Sequence, residues 1–242
     1  MLTNYDRKVK EPEKLPISRE EKINFLKKRE NFDECIKAFY EPKPPFTDKQ
    51  LKYHLRVINK LRECEPEERK KLFTNDDFLR LVHGVVKKWV EYRRAKVVDF
   101  ERFKNEIKRE SFAIFELLPY ELNKIDKEKW EEIKHEKLNP LFRRLRVMKG
   151  NRQIVGVSKT LHHLLPDLIP PIDNEYILTF YGNKSLKDEH VSRVLDMFYF
   201  ICKELNLTEN DLRKKWDTSI PKLIDNAIVG YVRLYVKNVK HT

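Results

Sequence analysis

Helix-start signals recur along this chain, each followed by apolar residues three and four positions apart. Ser18-x-x-Glu21 and Thr47-x-x-Gln50 are capping boxes, in which the hydroxyl meets the third backbone N–H and the longer side chain reaches back. The first leads to Ile23, Leu26, Cys35, Ile36 and Phe39, and the second to Leu51, Leu55, Ile58 and Leu61. Asn75 precedes Phe78, Val82, Val85, Val86 and Trp89, and Phe100, Phe103, Ile107, Ile114 and Leu117 form a further helix. Trp130, Ile133 and Leu138 predict a helix that ends near Pro140, with another starting at Leu141. Ser185-x-x-Asp188 opens the run from Val191 to Leu205, Thr208-x-x-Asp211 a short helix to Trp216, and Pro221 the last one. No segment alternates apolar and polar residues long enough for a strand, so the chain is expected to be all-α.

Residues 1–17 are charged, carry Pro12 and Pro16, and are expected to be a mobile tail. Residues 18–242 then form one globular unit, with lobes over about 18–118 and 119–242 divided at Pro119-Tyr120. The expected architecture is a two-lobed orthogonal helical bundle. No apolar stretch reaches the roughly 20 residues that span a bilayer, and the N-terminus has no signal-peptide core, which predicts a cytoplasmic protein without a membrane partner. Cys35, Cys64 and Cys202 lie far apart with no Cys-x-x-Cys pair, so neither a zinc ribbon nor an iron–sulfur cluster is signalled. The histidines show no ligand spacing; no metal and no cofactor is expected.

Charge is distributed unevenly. The net charge is +12, yet from Lys137 to Pro166 there is no carboxylate at all and there are seven Lys or Arg. Such a run suits an anion, and nucleic acid is the first to consider. Arg143, Arg144, Arg146, Lys149 and Arg152 are the candidate phosphate contacts. Beyond them, Gly156-Val157-Ser158-Lys159 places a glycine ahead of a helix, where backbone N–H groups, Ser158 and Lys159 could meet a phosphate. His162 or its neighbour His163 faces the same partner while the other packs inside. The pair Pro170-Pro171 stiffens the path to Asp173, which is placed to cap the helix 174–181.

Ile154-Val155-Gly156-Val157-Ser158-Lys159, the turn from Pro166 to Ile172, and Asp173 together resemble the helix–hairpin–helix DNA glycosylases over about residues 140–182. The chain lacks the second hairpin glycine and the iron–sulfur cysteines of some members, and Lys159 stands closer to Asp173 than in that family. The resemblance implies a DNA (or RNA) partner and cleavage of the N-glycosidic bond of a flipped base. It implies that Asp173 stabilises the cationic sugar and that Lys159 is the amine that attacks C1′ in members with lyase activity. Tyr176 and Tyr181 would stack on the base. The same residues also suit a non-catalytic nucleic-acid-binding module, or an interaction subunit with a basic face.

Overall fold

Capping chemistry sets where several helices begin. In a computed structural model, which describes residues 18–90, 96–151, 153–182 and 188–237, Ser18 caps α1 (Arg19–Leu26) through the reciprocal box with Glu21. α2 (Arg29–Tyr40) follows, and Thr47 with Gln50 opens α3 (Asp48–Arg62) in the same way. After α4 (Pro66–Leu72), the Asn75 side chain accepts the Phe78 N–H at 2.9 Å ahead of α5 (Asp76–Val90). Asp99 caps α6 (Phe100–Arg109), which gives way to α7 (Ser111–Phe115). The second half carries α8 (Lys127–Ile133), α9 (Asn139–Arg144), α10 (Ile154–Leu164), α11 (Ile177–Tyr181), α12 (Asp188–Glu204) and α13 (Ile220–Tyr231). The described residues are all-helical and contain no strand; a single antiparallel bridge joins Val97 to Met148.

Four local departures from the expected pattern have physical causes. The helix expected from Ser18 to Phe39 is two helices, because the chain turns at Lys27-Lys28 and the Asn31 amide donates to the Phe25 carbonyl across that turn. The run expected from Phe100 to Leu117 likewise breaks at Glu110. Pro140 does not end its helix. A π-helical stretch, Lys134–Leu138, joins α8 to α9, and the Asn139 N–H reaches five residues back to Lys134. That shift of register accommodates a residue with no N–H of its own. Thr208 and Asp211 form their box over a single 3₁₀ turn, Glu209–Asp211, and not over a helix to Trp216. Ser185 lies outside the described residues.

Two helices occupy the centre. Every residue of α13 is buried, and so is all of α10 apart from the half-buried Val155. α13 lies directly on α2: a Cβ added at Gly230 would stand 1.8 Å from the Cys35 carbonyl oxygen and 3.1 Å from the Phe39 nitrogen. Only glycine lets the two backbones approach this closely. The segment expected to form a hairpin is the beginning of α10 itself. Gly156 sits in its first turn, where an added Cβ would stand 2.1 Å from the Met148 sulfur. Its missing side chain therefore admits Met148 against the helix. One continuous apolar cluster runs from Leu26 to Val232, and no helix among the described residues is long and apolar enough to cross a membrane.

Candidate functional site

Charged residues within a helix buried on all sides are expensive unless each finds a partner. α13 carries two, Lys222 and Asp225, beside Asn226. The Lys222 ammonium, 1% exposed, donates to Asp225 Oδ2 at 2.7 Å and to Asn226 Oδ1 at 2.6 Å. Rings of Phe39, Phe46, Trp89 and Trp216 surround it with centroids 5.1–6.0 Å away. The Asn226 amide donates onward to the Trp216 carbonyl and to Asp217 Oδ1, and the Tyr40 hydroxyl donates to that same oxygen at 2.8 Å. Burial raises the Asp225 carboxyl above the ordinary carboxylate range; Lys222 opposes that shift and Asp173 adds to it. Asp225 Oδ1 is buried without a hydrogen-bond partner.

α10 brings its own polar face to the same interior. Lys159, 8% exposed, donates to the Trp89 carbonyl at 2.8 Å. Asp173, 6% exposed, accepts the Tyr176 N–H on Oδ1 at 2.8 Å and so caps the turn entering α11 as expected. Both residues line one small cavity, together with Phe46, Gln50, Trp89, Pro171, Lys222 and Asp225. The half-exposed Phe46, Gln50 and Trp89 form its mouth, and the buried residues its floor. Its volume is about 30 Å³, space for roughly two water molecules. The buried Trp89 Nε1 also lacks a hydrogen-bond partner. Lys49, next in sequence to Gln50, and Lys87, two residues before Trp89, are exposed.

Three fully buried histidines link α3, α10 and the segment that leads into α13. His163 Nδ1 lies 2.7 Å from the Lys159 carbonyl, which can only accept, so it carries the proton. His163 Nε2 then accepts from His54 Nδ1 at 3.0 Å, and His54 Nε2 accepts from the Thr218 hydroxyl at 2.7 Å. This direction is the one the neutral rings allow. Burial holds His54 and His162 well below the ordinary imidazole value and takes His163 to about 4. Among the described residues no cluster of three His, Cys, Asp or Glu side chains is placed to hold a metal.

The other residues singled out from the sequence are dispersed. Arg143, Arg144, Arg146 and Lys149 are exposed, while Arg152 lies outside the described residues. The acid-free run does meet acids in space: Arg144 pairs with Glu110 at 2.9 Å, and Glu106 accepts the Arg146 backbone N–H at 2.8 Å. Gly156, Ser158 and His162 are interior and not placed to touch a phosphate backbone. Ser158 Oγ donates to the carbonyls of Val155 and Ile172, and His162 Nδ1 donates to that of Ile169. Tyr176 and Tyr181 are buried off the cavity. Tyr176 meets the edge of Phe46, and Tyr181 lies under the Arg19 guanidinium, 3.7 Å from its ring centre. Sequence reasoning missed Phe46, Trp89, Lys222 and Asp225. The signal for the last two was a Lys and an Asp three apart in an otherwise apolar helix. Compared with known protein families, curated proteins and solved structures, the chain matches none.

Proposed function

We propose that this protein binds nucleic acid and cleaves the N-glycosidic bond of an altered base in the cavity between α10 and α13. The observation that carries this is the convergence of Lys159 and Asp173 on one buried, aromatic-mouthed cavity. A carboxylate at the wall serves departure of a base: the sugar becomes cationic as the bond breaks, and a carboxylate nearby lowers that barrier. The exposed arginines of the basic run and the lysines beside the mouth supply attraction to phosphate. In the present conformation the cavity admits water and not a nucleobase, so substrate entry requires Phe46 and Trp89 to part around the base. The cavity's size favours a second reading, in which Lys159, Asp173, Lys222 and Asp225 brace the two helices and the basic face binds nucleic acid without cleaving it.

Incubation with duplexes carrying uracil, 8-oxoguanine or an alkylated base separates the two. Cleavage leaves an abasic strand, and Asp173→Asn slows its single-turnover formation by roughly 10²–10³-fold. Binding to every duplex with no abasic strand from any of them leaves the bracing role alone.

A further inference from the structure

We infer that Asp225 is a catalytic base: it holds and deprotonates the water that attacks the sugar, a role that rests on the glycosidic-bond cleavage proposed above. The two carboxylates of the cavity are not equivalent. Asp173 has one oxygen committed to the Tyr176 N–H, which fixes the group and leaves its second oxygen to face developing positive charge. Asp225 has Oδ2 tied to Lys222 and Oδ1 buried and unpartnered. It lines a cavity sized for about two waters, and the other unpartnered polar atom there, Trp89 Nε1, is a donor. Both atoms are shut off from water in the present conformation, and the opening that admits the base lets a water accept from the indole and donate to Asp225 Oδ1, which sets the direction of its oxygen lone pair.

The groups around Asp225 suit that role. Lys222 and Asn226 belong to its own helix, Lys159 comes from α10, and Asp173 comes from the turn before α11. Burial raises the Asp225 carboxyl, which makes it a stronger base than an ordinary carboxylate. Lys159 Nζ is engaged by the Trp89 carbonyl at 2.8 Å, and in this proposal water rather than Lys159 attacks C1′. In the reaction the C1′–N bond breaks and its electron pair leaves with the base. The water oxygen forms the new C1′–O bond, its proton passes to Asp225 Oδ1, and the departing base takes that proton. One water is consumed, and the products are the free base and an abasic sugar with a C1′ hydroxyl.

The test compares wild type with Asp225→Asn on one lesion-bearing duplex, with and without sodium azide, alongside borohydride trapping of the wild type. Azide is small, nucleophilic and needs no base. Asp225→Asn is expected to slow excision at least ~100-fold, azide to restore it at least ~10-fold with a C1′-azido product, and borohydride to trap nothing. Excision by Asp225→Asn within about threefold of wild type, or slow excision that azide leaves unchanged, overturns the assignment. A wild-type adduct lost in Lys159→Gln overturns it too, and that result stands even where Asp225→Asn does not fold. A wild type that excises nothing defeats glycosidic cleavage itself, whereas these other outcomes defeat Asp225 alone.

Discussion

Replacing Lys222 with methionine is expected to destabilise the fold by about 3–5 kcal/mol, the scale on which removal of one partner from a buried ion pair acts. The loss is not that of one contact. Without the ammonium, the Asp225 carboxylate remains in the interior with neither oxygen partnered, and Asn226 Oδ1 loses its donor as well. The surrounding rings cannot help, since their electron-rich faces repel an anion and attract only the cation. At this chain length each kcal/mol moves the thermal midpoint by roughly 2–4 °C, so a drop of about 6–20 °C follows. The double variant Lys222→Met, Asp225→Leu removes both charges and is expected to recover much of the loss, because apolar side chains suit a helix buried on every side. Urea denaturation measures both. A Lys222→Met protein as stable as wild type would show that the pair is solvated and not buried.

Stability is also expected to collapse with mild acid. His54, His162 and His163 are held neutral by burial, so their folded values lie below the ordinary imidazole value. Below pH ~6.5 the unfolded chain binds protons that the folded chain refuses, and stability falls with pH; above it the effect vanishes. Each such ring contributes a slope of about 1.4 kcal/mol per pH unit, or roughly 4 kcal/mol per unit for three. For His163 the window closes near 4, where the folded ring takes up its proton. Asp167, Asp217 and Asp225 work in the opposite sense, because their raised folded values favour proton uptake by the native state. Their proton uptake begins above the ordinary carboxylate range, so they offset part of the histidine effect at its acid end. The three rings together remove roughly 8 kcal/mol by pH 4.5, enough to unfold a chain in the lower part of the typical range of about 5–15 kcal/mol. Urea midpoints at pH 7, 6 and 5 test this, and His162→Phe should reduce the slope by about one third. Equal midpoints at pH 7 and 5 would mean that the rings are reached by water.

The all-helical fold was legible because capping is local chemistry. Ser18 with Glu21, Thr47 with Gln50 and Asn75 with Phe78 all lie within four residues of one another, and each acts as its spacing implies. What lay beyond a few residues was not legible. The Glu110 that neutralises Arg144 comes from the end of α6, so a run without acids in sequence has them in space. Gly156 resembled a turn glycine, and its actual reason is the Met148 side chain packed against α10. Lys159 and Asp173 were recognised from a local motif and do share a cavity, whereas its other half comes from α3, α5 and α13, whose side chains meet only after folding. Lys222 and Asp225 could have been found by asking why an apolar helix carries two charges three residues apart.

Stabilisation of a cationic sugar by this cavity can be measured directly as a ratio of two affinities. One duplex carries a pyrrolidine abasic analogue, positively charged where the departing base leaves C1′ cationic, and the other carries the neutral tetrahydrofuran analogue. Wild type is predicted to bind the cation at least ~100-fold more tightly, as expected of a site complementary to the transition state, and Asp173→Asn to lose most of that preference. Equal affinities for the two duplexes would contradict the assignment of this cavity as a glycosidic-bond-cleaving site.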